Sequence, residues 1–198
     1  QIIVVSDEIY EHINFSNNGH CSIASIDGMY DRTVTVNGVS KAFAMTGWRI
    51  GYIGGPEWIA KACTKLQGQV TSGANSIAQR AVIEALMAPV ERIQYMVDAF
   101  KNRRDLVLKL LGQIEGFKVN VPEGAFYVFP DISHYFGKTL KGVRINNASD
   151  FALFLLEHAQ VATVTGEAFG DENCIRISYA ASEETLTEAI KRIAEAVS

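Results

Sequence analysis

Apolar and polar residues follow distinct periods along this chain, and those periods predict its elements. Ile2, Ile3, Val4 and Val5 form a short apolar run that ends at Ser6, Asp7 and Glu8, the pattern of a buried parallel strand feeding a loop. Thr33–Asn37 and Ile50–Ile53 read as two further strands. Pro56 is placed to open a helix running to about Gln69, since proline is tolerated where a first-turn N–H has no helical partner anyway. After the polar loop Thr71–Ser76, a helix begins near Asn75. Ile77, Ala81 and Ala85, then Ile93, Val97, Phe100, Val107, Leu111 and Ile114 beyond Pro89, keep helical spacing. They predict one long, proline-kinked helical connector ended by Gly116.

Beyond the connector the pattern is α+β. Strands are expected at Lys118–Val121 and Phe126–Phe129, followed by a polar stretch over Asp131–Asn147. A helix over Ala148–His158, capped by Ser149 or a neighbour, precedes strands at Val161–Thr165 and Ile175–Tyr179. An amphipathic helix over Ser182–Val197 closes the chain. The pattern therefore divides into a region over residues 1–97 and a second over 98–198, without internal repeats.

Composition narrows the function classes. At 198 residues, 48% hydrophobic and 20% charged, the chain is built to bury a core rather than to stay disordered. A net charge of -4 gives no electrostatic footprint for nucleic acid. No apolar run approaches the roughly 20 residues of a membrane span, and no secretory signal opens the chain. Cys21, Cys63 and Cys174 are odd in number and far apart, which favours reduced thiols and a cytoplasmic setting. His12, His20, His134 and His158 show no metal-ligand spacing, so no metal is expected. Gly47, Gly51, Gly54 and Gly55 do not make a dinucleotide fingerprint.

The candidate chemistry is concentrated in Gly38–Gly51, GVSKAFAMTGWRIG. Lys41 stands in a turn of small residues with a second cation, Arg49, shortly downstream. An attacking amine must shed its proton, and a nearby cation and partial burial both disfavour an ammonium, which suits a Schiff-base lysine. Arg49 offers an always-charged fork for a phosphate, with Gly47 and Gly51 allowing close backbone approach. A reactive lysine beside a phosphate anchor suggests pyridoxal phosphate. Asp7 ends an apolar strand, where ligands of open α/β sheets bind, and a carboxylate there suits a pyridinium nitrogen; the ordinary alternative is a turn or cap residue. Arg176, among the alternating residues Cys174–Tyr179, calls for an anionic partner, either a substrate carboxylate or a structural ion pair.

The GVSKAFAMTGWRIG segment resembles the lysine-attachment signature of class I/II aminotransferases, pyridoxal-phosphate enzymes of fold type I, and AMTGWRIGY is similar to their aspartate-aminotransferase-like branch. DEIYE at Asp7–Glu11, PEGAF at Pro122–Phe126, VTGEAF at Val164–Phe169 and the Arg176 strand resemble further family segments. The resemblance implies that Lys41 is the catalytic lysine, that Asp7, Tyr10, Ser40 and Arg49 also bind the cofactor, and that Arg176 clamps the substrate α-carboxylate. Two departures stand out. Gly38 occupies the place where relatives often carry a phosphate-binding hydroxyl, leaving more to Arg49, and Thr165 stands where many relatives have proline.

The implied fold class is α/β: the C-terminal part of the cofactor-binding large domain, a mainly parallel sheet with helices, over 1–97, and a small α+β domain over 98–198. The chain opens at Gln1 inside an apolar run and reads as the C-terminal half of a longer protein, a piece expected to be inactive by itself. The implied reaction is amino-group transfer between an amino acid, aspartate first, and a 2-oxo acid, in a cytoplasmic homodimer. A β-lyase or synthase of the same fold, or a noncatalytic binding fragment, remains an alternative at this level.

Overall fold

A computed structural model describes residues 2–198; Gln1, from which the first region was counted, lies outside them. The chain forms two compact units, Gln1–Val97 and Asp98–Ser198.

The first unit is built on a three-stranded sheet. Strands β1 (Val4–Asp7) and β2 (Thr33–Gly38) run parallel, with Asp7 opposite Val36. Strand β3 (Gly51–Gly54) lies antiparallel on the other side of β2, with Gly51 opposite Gly38. Parallel pairing puts the carboxyl ends of β1 and β2 at one edge, and the antiparallel return of β3 starts there as well. Helices α1 (Glu57–Val70) and α2 (Ser76–Met87) follow. Pro56 stands just before the first helical residue, and the Asn75 side chain caps α2 by accepting the Ala78 N–H at 3.0 Å. Val39, Ile50, Ala78 and Val82 make the core that fastens the segment around Lys41 to α2.

Two expectations for this unit need correction. The first strand was expected to be buried; instead Val5 is 70% exposed and Ile3 41%, because nothing among the described residues covers that face. The single kinked connector is two helices. Ala88 is driven into an extended conformation (φ -70°, ψ 143°) by the proline after it, and Pro89 is itself extended (ψ 138°). Two extended residues end α2 outright, and a 3-10 turn over Val90–Ile93 starts α3 (Gln94–Leu111). Helix α3 stops before Gly116, which has φ +92°.

The second unit centres on an antiparallel sheet in the order β4 (Tyr127–Val128), β8 (Ile175–Ser178), β7 (Val164–Thr165). Helices α4 (Ala148–Ala159) and α5 (Glu183–Val197) pack against each other. The cap of α4 is Asn147, not Ser149: its side chain accepts the Asp150 N–H at 2.8 Å. Leu186, Ile190 and Ile193 repeat at helical spacing on the buried face of α5, and Ser182 caps it. Phe151 is fully enclosed, stacked on Tyr135 with centroids 4.9 Å apart.

Here too the pattern misled in places. Lys118–Val121 is not a strand; Lys118 makes one bridge to Asp131, after which the chain turns into Pro122 with Val121 exposed. The polar stretch Asp131–Asn147 hides a hairpin, β5 (Thr139–Leu140) with β6 (Val143–Arg144). Its two turn residues, Lys141 and Gly142, both have positive φ (46° and 87°), the two-residue hairpin geometry ordinarily signalled by Asn-Gly. Lysine in the first place concealed it. The outer strands were also read too long.

Candidate active site

The carboxyl ends of β1 and β2 and the start of β3 open onto a cavity of about 500 Å³. Asp7, Tyr10, Ser40, Lys41 and Arg49 all line it. Five of the six residues singled out from the sequence therefore come together. The volume lies within the range of small-molecule sites.

Each side chain has a local reason for its place. Asp7 is the last residue of β1, and its carboxylate accepts the Ile9 N–H at 3.2 Å, an Asx turn that swings the chain away from the sheet. The parallel ladder continues one residue further, with the Glu8 N–H donating to the Val36 carbonyl at 2.8 Å. Tyr10 then folds back over Lys41, whose ammonium nitrogen is 5.9 Å from the ring centroid. Lys41 itself is half-buried, in a turn closed by the Ala44 N–H on the Lys41 carbonyl (3.2 Å) and the Met45 N–H on the Val39 carbonyl (3.3 Å). Arg49 is exposed and left-handed (φ 57°), and its guanidinium donates to the Thr46 carbonyl at 3.0 Å. Ala44 is left-handed as well (φ 53°). Two non-glycine residues held at positive φ within one short segment are the kind of backbone strain that clusters at functional sites.

The glycines of the segment carry different duties from those expected. A Cβ at Gly47 would meet nothing within 4 Å, so no close approach demands glycine there. The crowded position is Gly38, where a Cβ would sit 2.9 Å from the Ile50 carbonyl oxygen and 3.2 Å from the Gly51 Cα. Gly51 is intermediate, with the Asn37 oxygen at 3.3 Å. A second cavity of about 640 Å³, lined by Gly47, Trp48, Asn75 and Ile77, also borders Arg49.

Behind the lining lies a polar layer that sequence reasoning missed. Glu8 is 7% exposed and accepts hydrogen bonds from Ser6 Oγ (3.0 Å) and Ser22 Oγ (2.8 Å), with His20 Nε2 at 2.8 Å. Burial alone would raise its pKa, but the hydrogen bonds from His20, Ser22 and Ser6 outweigh it and hold the carboxyl below its ordinary range. Buried Asn37 donates to Glu11 at 2.7 Å and accepts the Gly38 N–H at 2.7 Å, linking the loop after β1 to the start of the lysine segment. Ligating atoms of Glu8, Glu11 and His20 lie within 4.8 Å of one another. The sequence gives little signal for this layer, since His20, Ser22 and Asn37 lie far along the chain from the carboxylates they meet.

Arg176 belongs to the second unit. Along β8, Ile175 and Ile177 are buried while Arg176 and Ser178 face the other way. Its guanidinium carbon is 4.5 Å from the Tyr127 ring centroid and 4.0 Å from that of Phe169. Among the described residues it makes no ion pair, so the structural salt bridge weighed above is not formed. Thr165, where many relatives have proline, has φ -59°, the angle proline would impose.

Known proteins resemble this chain over nearly its whole length. Residues 1–193 match the family described as aminotransferase class I and II. The chain is 53% identical to a bifunctional aspartate aminotransferase and glutamate/aspartate-prephenate aminotransferase of Petunia hybrida, covering 100% of this chain and 42% of that protein. It is 51% identical to an aspartate aminotransferase of Pinus pinaster, covering 98% and 40% respectively. Among solved structures, the aspartate aminotransferase of Rhizobium meliloti superposes with a TM-score of 0.94 at 46% identity, over 98% of this chain and 49% of that one. The chain thus spans about half the length of the curated relatives it matches. Its fold is that of the pyridoxal-phosphate-dependent transferases, and the chain belongs to the class I and II aminotransferases.

Proposed function

We propose that this chain carries the lysine-bearing part of an aminotransferase that moves an amino group between an amino acid and a 2-oxo acid. The observation that carries the reading is the single cavity shared by a half-buried amine, a strand-end carboxylate, a phenol and a guanidinium. That donor set fits pyridoxal 5'-phosphate, the cofactor family membership implies. Lys41 matches its carbonyl carbon, Asp7 its ring nitrogen, Tyr10 its ring hydroxyl, and Arg49 with Ser40 its phosphate. Bound there, the cofactor supplies an electron sink for the substrate's α-carbon.

The chain's own residues do the rest. Lys41 Nζ would serve as the base that takes the α-proton and carries it during the transfer. The Asp7 carboxylate would favour a protonated ring nitrogen, and the Tyr10 hydroxyl would hold the ring's oxygen. Arg176 presents a planar fork to the substrate carboxylate. Aspartate as amino donor is supported by the names of the relatives at 53% and 51% identity.

In this reading residues 1–97 are the C-terminal part of the large cofactor-binding domain and residues 98–198 the small domain. Activity is assigned to the full-length protein, working as a homodimer. The exposed apolar side chains of α2, Ile77 at 74% and Met87 at 80%, support a covering partner. No helix is long and apolar enough to cross a membrane among the described residues. We place the protein in the cytoplasm, a reading supported by three cysteines that form no disulfide.

Borohydride reduction of the full-length holoprotein followed by peptide mapping tests the assignment. The cofactor adduct is expected on Lys41, and Lys41→Ala should lose both the adduct and turnover by more than about 100-fold. An adduct on Lys61 or Lys65 would overturn it.

A further inference from the structure

No hydrogen-bond acceptor among the described residues meets the guanidinium of Arg176. Among the described residues its contacts are the rings of Tyr127 and Phe169, at 4.5 and 4.0 Å from its carbon. The ring of Phe169 also meets that of Phe129 edge-on. No Arg176 nitrogen is sealed from solvent without a partner. Both ring contacts bring aromatic carbon to the guanidinium and leave its N–H donors uncommitted.

The fold builds this arrangement deliberately from both sides. In the β4–β8 register Tyr127 stands opposite Ser178, which places it diagonally next to Arg176 on the same sheet face. Tyr127 is backed by Phe126 at 4.8 Å, and Phe126 stacks on Phe100 at 5.2 Å. On the other side Phe169 ends a 3-10 turn over Gly166–Phe169 and meets Phe129 edge-on at 6.2 Å. That turn is fixed by Gly166, whose N–H donates to the Cys174 carbonyl at 2.7 Å. A side chain there would collide with the carbonyls of Asp171 and Cys174.

We infer that Tyr127 and Phe169 are positioning residues for carboxylate recognition, gripping the Arg176 guanidinium by its faces so that only its in-plane edge meets the ligand. The inference rests on the proposed role of Arg176 as the substrate clamp. An arginine side chain loses much rotamer freedom when it binds, and rings that order it beforehand remove that cost from the binding step. Rings also satisfy the cation without consuming its N–H donors, which an acidic partner would take. The complementary ligand is therefore a carboxylate arriving edge-on.

The test uses the full-length holoprotein titrated with succinate, which has carboxylates but neither an amino nor an oxo group. Phe169→Leu and Tyr127→Leu should each weaken succinate binding by about 3- to 30-fold, the scale of one cation–π contact. Phe169→Tyr and Tyr127→Phe, which keep a ring, should restore it. Phe169 is 47% exposed, so its leucine variant is expected to fold, and thermal unfolding checks this. In an Arg176→Met background Phe169→Leu should have no further effect. Wild-type affinity in both leucine variants, or an equal loss in the Arg176→Met background, overturns the inference while leaving the clamp intact. Unchanged affinity in Arg176→Met alone overturns the clamp and this inference together.

Discussion

Gly38 is the tightest position in the lysine segment, and its neighbours are backbone atoms that cannot swing aside. A methyl group there would press on the Ile50 carbonyl oxygen at 2.9 Å and on Gly51 at 3.2 Å, forcing β2 and β3 apart at the mouth of the cavity. Gly38→Ala in the full-length protein should cost about 1–3 kcal/mol of stability. Gly47→Ala, with nothing within 4 Å, should stay within about 0.5 kcal/mol of wild type. Denaturant unfolding midpoints check both; equal effects at the two sites would show that packing against β3 is not what sets Gly38. This crowding also gives a physical setting for the missing hydroxyl. Serine at position 38 would need the two strands to separate, which in the proposed function leaves the phosphate to Ser40 and Arg49.

At the scale of elements, the loop after β1 is held by a buried carboxylate rather than by apolar packing alone. Hydrogen bonds hold the folded-state pKa of Glu8 below the ordinary glutamate value of about 4.3. A group with a depressed folded pKa stabilises the fold at pH values above its unfolded pKa, and that stabilisation is lost as pH falls through the folded value. The difference in stability between wild type and Glu8→Gln should therefore shrink as pH falls below about 4. Unfolding measured across that range checks it, and a difference independent of pH would remove Glu8 from the link. Glu8, Asn37 and His20 were illegible in the sequence for a physical reason. A polar residue's partner is set by tertiary approach, and the Glu8–His20 and Asn37–Glu11 pairs join residues with no periodic relation. Asp7, Lys41 and Arg49 were legible because they follow or flank apolar strands whose ends a parallel sheet aligns. Helices capped by Asn75 and Ser182 were readable from local chemistry, whereas the break at Ala88 and Pro89 and the Lys141–Gly142 hairpin depended on backbone angles that apolar spacing does not encode.

The whole molecule is unevenly finished. In the second unit large apolar side chains such as Phe151, Phe154 and Ile193 are sealed, whereas in the first Val5, Trp58, Leu66, Ile77 and Met87 are 64–80% exposed and α1 has no buried residue. An exposed apolar surface of that kind drives association. Residues 1–198 expressed by themselves should sediment as species larger than a monomer at micromolar concentration, and Leu66→Glu combined with Met87→Lys should reduce the effect. A monodisperse monomer would show that these faces do not drive association. The contrast also explains why patterning failed for β1: an apolar run signals a covered strand only when its cover is among the residues described.

Strand β8 carries two obligations on alternate residues, core on one side and, in the proposed function, ligand on the other. Losing or gaining a single residue within Ile175–Ser178 would turn the rest of the strand over, driving a guanidinium toward the core and isoleucines onto the face that Arg176 now holds. Sequence change in this stretch is thereby confined to substitution. Deletions and insertions must fall elsewhere, and an enzyme engineer seeking altered selectivity has room in the residues around Arg176 but none in the length of the chain that delivers it.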